Sequence, residues 1–230
     1  MRVSQLLQPP IPAAVNSRIC RLLQVGDCWI RPFAAPWCLL NPADNYTDAM
    51  AILLAPCVVN ALRADAGLVG ITAIDKRAFD GPVQVRTLGL FADVQTDRKN
   101  HGGEDKALYA YAQEDADFWA SELGRDLAPG WFGENLRVAG IDVSNARVGE
   151  RWRIGDTVEV EVTMPRTPCA TFARWVGGAN ERGWVKRFAL EGRLGAYLRV
   201  IRTGRIQSGD TVEVLSVPDG AQTVLEMFRA

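Results

Sequence analysis

Between Thr157 and Met164 the chain reads Thr-Val-Glu-Val-Glu-Val-Thr-Met, with Val158, Val160, Val162 and Met164 on one parity and Thr157, Glu159, Glu161 and Thr163 on the other. No face of an α-helix collects every second residue, whereas a strand sends alternate side chains to opposite faces. The segment is therefore predicted to be a strand with one buried face. Its opening, Gly155-Asp-Thr-Val-Glu-Val160, returns as Gly209-Asp-Thr-Val-Glu-Val214, each a short way behind an isoleucine, Ile154 or Ile206. A Gly-Asp turn that twice launches a strand belongs to a barrel of short strands, and two copies so far apart do not make a solenoid.

Further strands are expected from Ala51-Ile-Leu-Leu, from Val83 and Val85 with Leu88-Gly-Leu90, and from residues 194–201 between Gly192 and Gly204. Helices are few. Residues 114–123 place Ala116, Phe118, Trp119 and Leu123 at helical spacing, with Gly124 as the stop. Residues 166–176, 184–190 and 222–228 are further candidates. Many strands with few helices predict a mainly β fold, a closed or nearly closed barrel with a few short peripheral helices.

The chain has 230 residues, 48% hydrophobic and 23% charged, which suits one substantial globular core. Its formal net charge of −1 gives no global reason to bind nucleic acid as a polymer or an anionic membrane. The five cysteines, Cys20, Cys28, Cys38, Cys57 and Cys169, are odd in number, form no C-x-x-C pair and have a single histidine for company. Disulfide-framework and zinc readings both fail on that count. Pro9, Pro10 and Pro12 interrupt the first candidate signal-peptide core, and the apolar run from Ala51 to Val59 is too short to span a bilayer. A cytoplasmic setting, where free thiols persist, is expected.

Residues 1–50 hold six prolines, three cysteines and two tryptophans with neither helical nor strand periodicity. They are read as an irregular N-terminal extension. Met50, immediately before the first strand, suggests that translation starts there and that residues 1–49 come from an over-long gene model; intact-mass measurement of the native protein tests this.

Three segments carry candidate chemistry. In Asp97-Arg-Lys-Asn-His101-Gly102-Gly103-Glu-Asp-Lys106, cations and the lone histidine crowd a Gly-Gly pair. Such a pair lets backbone N–H groups approach an anion, although a solvated charged loop has the same composition. In Gly130-Trp-Phe-Gly133-Glu134-Asn135, the last two side chains suit either a polar ligand edge or a self-satisfied turn. Lys76 reads equally as a surface lysine. Cys169 follows Pro165, Arg166 and Pro168 where a strand gives way to a helix. It is either a small core residue or a thiolate favoured by a helix N-terminus and Arg166, able to bind a soft metal or an electrophile. Cys57, in an apolar strand, is expected in the core. No nucleophile, base and orienter set can be assembled, so His101 is left as a general acid or base and hard chemistry must come from a cofactor.

Six motifs in order, Thr72-Ala-Ile-Asp-Lys76, Leu88-Gly-Leu90, His101-Gly-Gly-Glu-Asp-Lys106-Ala, Phe132-Gly-Glu-Asn-Leu136, Val148-Gly-Glu-Arg-Trp-Arg-Ile154 and Pro165-Arg-Thr-Pro-Cys169, resemble the MOSC domain family. Within it they resemble the bacterial stand-alone branch that includes hydroxylaminopurine reductase. The resemblance covers residues 51–217 and leaves 218–230 as a short helical tail. It implies a barrel related to the inserted barrel of pyruvate kinase, holding the molybdenum cofactor, a molybdopterin, in a basic pocket. By motif position Cys169 is implied as the metal ligand, with His101 as its catalytic companion. Thr72, Lys76, His101, Gly102, Gly103, Lys106, Asn135 and Arg166 are implied as cofactor-binding. The implied activity is reduction of a small N-hydroxylated substrate with electrons from an external reductase, and a homodimer is the assembly entertained. The alternatives are a non-catalytic sulfur or cofactor carrier using the Cys169 thiol, and a degenerate barrel without metal. One departure stands out. The family's Leu-x-Gly-Asp-x-Gln-Ala-Asp appears as Leu90-Phe-Ala92-Asp93-Val-Gln-Thr96-Asp97, so a position that can require positive φ carries a Cβ.

Overall fold

The structure, a computed structural model, describes residues 50–177 and 183–230. The proposed over-long start, residues 1–49, lies outside the described residues. In chain order the strands are β1 (Ala51–Ala64), β2 (Ile71–Ala78), β3 (Val83–Arg86), β4 (Gly89–Leu90), β5 (Leu108–Ala112), β6 (Leu136–Ala139), β7 (Arg151–Ile154), β8 (Val158–Pro165), β9 (Ala196–Arg202), β10 (Gly204–Ile206) and β11 (Thr211–Ser216). The α-helices are α1 (Arg98–His101), α2 (Gln113–Leu123), α3 (Ala170–Gly177), α4 (Trp184–Glu191) and α5 (Val224–Arg229).

Seven strands close into a ring in the order β11-β7-β8-β9-β5-β6-β1, with β1 pairing back onto β11. Closure removes the open edges that a flat sheet would expose. Every neighbour pair in the ring is antiparallel except β5 with β6. The repeated Gly-Asp turns launch β8 and β11, the two neighbours of β7, and Gly155 and Gly209 take φ of 58° and 92° to do so. The barrel interior is mainly aliphatic, with Leu53, Leu108, Leu136, Val160 and Leu198 fully buried beside the aromatic Trp152. The small sheet β10-β3-β4 adds Val83, Val85, Leu90 and Ile206 to that core.

The strict alternation of β8 breaks at its end. Thr163 is buried and Met164 only half-buried, because the pairing with β9 slips between Val162 and Met164. That irregularity sends Thr163 Oγ1 to the carbonyls of Asp105 (2.5 Å) and Tyr197 (3.0 Å). It also re-aims the chain that runs on to Cys169. α3 begins at Ala170 rather than at Arg166, since Thr167 precedes Pro168 and is kept out of the helical region. α2 ends on Gly124 in the left-handed conformation, as expected.

β1 serves two sheets. Its first half pairs with β6 and β11, while residues from Cys57 to Ala64 extend beyond the ring and pair with β2. A second, aromatic core lies among α2, α3 and α4, where Trp119, Phe132, Phe172, Trp184 and Phe188 stack on Tyr111 and one another.

Candidate functional site

β2, the loop around α1, β5, β9 and the start of α3 converge on a cavity of about 250 Å³. Thr72, Lys76, His101, Lys106, Asn135, Arg166 and Cys169 all line it. These residues span nearly a hundred positions of sequence, and the sheet order is what brings them together.

Cys169 ends the linker from β8 and directly precedes α3, so its sulfur accepts the backbone N–H of Phe172 in the first turn. Arg166 is 5% exposed, its guanidinium lying over the rings of Phe172 (4.7 Å) and Tyr109 (5.9 Å). One Arg166 nitrogen donates to the Thr167 carbonyl at 3.0 Å and another lies 3.8 Å from Cys169 Sγ. His101, at the end of α1, hydrogen-bonds the thiol, and its Nδ1 is 2.9 Å from the Tyr197 hydroxyl. Burial pushes the thiol up, but the His101 bond, the Arg166 charge and the Phe172 N–H outweigh it and bring the pKa down to about 6. Cys57 is the contrast: fully buried, its thiol is driven far up by burial. In metal-free protein, iodoacetamide should therefore alkylate Cys169 at a rate that rises with pH to a plateau above about 6. Cys57 should react only on unfolding. His101→Ala should move the Cys169 midpoint upward, which mass-resolved alkylation across pH checks.

Lys76 does not reach into the cavity as a free cation. Its Nζ donates to Asp93 Oδ2 at 2.7 Å, with both side chains nearly buried. Asp93 also accepts from Asn135 Nδ2 (2.7 Å) and from the Val59 backbone N–H (2.9 Å). Asn135 in turn accepts the Tyr109 N–H at 3.2 Å, so its amide is satisfied within the protein, where a polar ligand edge was expected. It lines the cavity while holding Asp93. Ala92 holds φ +72°, the positive value that the glycine departure raised. A non-glycine residue there costs roughly 1–2 kcal/mol, against a glycine entropy cost of roughly 0.5–1 kcal/mol, so Ala92→Gly is expected to stabilise the fold by about 0.5–1 kcal/mol. Urea unfolding of the two proteins measures it.

Glu134, the other candidate for a ligand edge, is structural. It is fully buried and accepts the N–H groups of Gly130 (2.7 Å) and Phe132 (2.9 Å) and two bonds from Arg137 (2.9 and 2.6 Å). Gly102 and Gly103 are not among the residues that line the cavity. Gly102 is extended and packs so closely on α1 that a Cβ would stand 2.8 Å from the Arg98 Cα, while Gly103 turns the chain with φ +95°. Close packing and a turn account for the two glycines. Lys106 donates to the Asn100 carbonyl at 2.6 Å and lies 5.8 Å over the Tyr197 ring. It makes no ion pair among the described residues.

Tyr109, Tyr197 and Asp93 belong to the site and carried no distinct sequence signal. The two tyrosines sit in strands, where an aromatic reads as core, and Asp93 was marked only by the unusual residue before it.

The closed barrel sets a cysteine against an arginine and a histidine at this cavity. Residues 97–213 match the MOSC domain family model, half of the chain, and the chain belongs to that family. It is 37% identical over 145 residues to YflK of Bacillus subtilis, covering 63% of this chain and 64% of that protein. Over 181 residues it is 32% identical to a protein of Gibberella moniliformis named "Reductase", covering 74% of this chain but only 31% of that one. The chain thus spans less than two thirds of these relatives. The crystal structure of YiiM from Geobacillus stearothermophilus superposes with a TM-score of 0.62 at 26% identity, covering 78% of this chain and 82% of that one. No described helix is long and apolar enough to cross a membrane.

Proposed function

We propose that this MOSC protein is a molybdenum-cofactor oxidoreductase that reduces small N-hydroxylated compounds, with Cys169 as the metal's protein ligand. The observation that carries the reading is the Cys169 sulfur, which lines a cavity and is held between Arg166 and His101, neighbours that favour its thiolate. Thiolate is a soft donor suited to such a metal. Among the described residues no group of three or more His, Cys, Asp and Glu can hold a metal ion. The site therefore fits a metal that brings its other ligands with it, which is what a pterin-borne metal does. Arg166, Lys106 and His101 would hold the anionic part of the cofactor, and Thr72 would face it from β2. Lys76, already paired with Asp93, would act on it through that pair.

When bound, the cofactor supplies the two-electron chemistry that no side chain here can supply. The balance is R–NHOH with two electrons and two protons giving R–NH2 and water. His101 stands beside the sulfur to deliver a proton to the departing hydroxyl oxygen, and Tyr197, bonded to its Nδ1, fixes the ring. The electrons come from an external donor reductase, and the setting is cytoplasmic, where the thiol stays reduced. The family's association with the cofactor and the name of the Gibberella relative support the reading.

The partly open position of Cys169 also favours a second reading, in which the thiol carries sulfur or hands on the cofactor without turnover. Protein purified from a cofactor-making host, assayed for molybdenum and for N-hydroxyl reduction with reduced methyl viologen, separates them. Metal with turnover supports the enzyme, metal without turnover the carrier, and folded protein without metal sinks both cofactor readings.

A further inference from the structure

The cavity that holds the thiol and its cations is also lined by large aliphatic side chains, Leu68, Val69, Ile71 and Val94. All four are exposed, Leu68 completely and the others at 42–48%. Aliphatic surface gathered beside a polar site is left in water only at a cost, about 25 cal/mol per Å², so it marks something that covers it. Leu68 and Val69 sit in the turn that joins β1 to β2, and Ile71 begins β2.

This turn is tied in place. Asp65 accepts the Gly67 N–H at 3.0 Å, closing the loop on itself. It also accepts Thr171 Oγ1 at 3.0 Å and Arg174 Nε and Nη2 at 2.8 and 2.7 Å. Thr171 and Arg174 lie on α3, the helix that starts directly after Cys169. The aliphatic wall is therefore fixed relative to the sulfur through one helix. A wall braced to the reacting atom orients a bound molecule, while one on a free loop only covers it.

Resting on the function proposed above, we infer that Leu68 and Val69 are specificity-determining residues: they take the apolar body of an N-hydroxylated substrate while the polar rim receives its N–O end. The preferred substrate class is then an N-hydroxylated compound with a ring or aliphatic body, in preference to one with a minimal substituent. A docking surface for the electron donor is the competing use of the same wall. Concavity favours the small molecule, since these side chains line the cavity that contains Cys169.

The test compares N-phenylhydroxylamine with N-methylhydroxylamine on the molybdenum-loaded protein and on the Leu68→Ser, Val69→Ser double variant, using reduced methyl viologen. Removing this much aliphatic contact should lower the phenyl-to-methyl ratio of kcat/KM by about tenfold, through KM. Saturation-transfer NMR, which needs no turnover, should show ring-proton contact with the wild type that weakens in the double variant. An unchanged selectivity ratio overturns the inference, as does a wild type whose ring protons receive no saturation. A loss seen only with a protein donor, and absent with methyl viologen, assigns the wall to docking and also overturns it. Ring contact without reduction of either compound leaves the wall standing and sinks the proposed reductase activity.

Discussion

Cys169→Ala is expected to reduce retained molybdenum from about one per chain to background while leaving the unfolding midpoint almost where it was. The two outcomes separate because the thiol is the only sulfur among the described residues that lines the cavity, yet it is a small, partly exposed side chain at the end of a linker. Losing such a side chain costs the fold about 1 kcal/mol or less. On the proposed function, loss of the soft donor would not be repaired by Arg166 or Lys106, whose cationic side chains offer a metal no lone pair, nor matched by the harder His101 imidazole. Cys169→Ser, with a harder oxygen of similar size, should also fail to retain metal. Metal analysis beside urea unfolding reads both effects on one preparation. A variant that kept its molybdenum would remove Cys169 from the site.

Glu134→Ala should have the largest effect on stability, about 3–5 kcal/mol. Glu134 and Arg137 are both fully shielded from water, and the carboxylate takes four hydrogen bonds. Arg137 also reaches the Gln113 side chain at 3.0 Å and the carbonyls of Leu127 and Ala128, each at 3.3 Å, so its charge is held from several sides. Removing the carboxylate strands a guanidinium in the interior and orphans two backbone N–H groups, and each of those defects is costly alone. Glu134→Gln keeps the shape and one acceptor oxygen, and should cost less. A loss of 3–5 kcal/mol is a large part of the ~5–15 kcal/mol that holds a domain together. Poor soluble yield for Glu134→Ala beside a foldable Glu134→Gln is therefore the expected pattern. Unfolding free energies from urea titration within 1 kcal/mol of wild type for both would show that the pair is dispensable.

Glu134 also shows where sequence and structure part. Beside Asn135 and two glycines it read equally as a ligand edge or a self-satisfied turn, and both side chains turn inward. Glu134 ties the Gly130–Phe132 turn to β6, and Asn135 links Asp93 to β5. A charged side chain next to glycines looks the same in sequence whether it faces a cavity or a buried guanidinium, and only the tertiary surroundings decide. The barrel was far more legible. Parity in β8 and the twice-used Gly-Asp turn report on local backbone, and local backbone survives into the fold. The parallel pairing of β5 with β6 left no such trace, because Leu108 to Ala112 is buried on both faces and shows no alternation. The extension of β1 past the ring was hidden as well, since the strand runs on to Ala64, beyond the apolar run that ends at Val59.

The same division holds within the site. Lys76, His101, Lys106, Arg166 and Cys169 were visible through their chemistry and the order of their motifs. Their state was not: pairing with Asp93 removes Lys76 from the free cations, and the His101 and Arg166 contacts that acidify the thiol depend on residues brought together by β9 and α3. Gly102 and Gly103 were read as an anion cradle because paired glycines allow close approach. The approach they make is to α1 and through a turn.

The central claim is that one sulfur at the barrel rim meets the metal. Crystals of protein from a cofactor-making host, measured at the molybdenum absorption edge, test it most directly. The account predicts a single anomalous peak within bonding distance of Cys169 Sγ, with Arg166 and His101 beside it. A molybdenum peak elsewhere on the molecule, with the Cys169 sulfur unbonded, would contradict it.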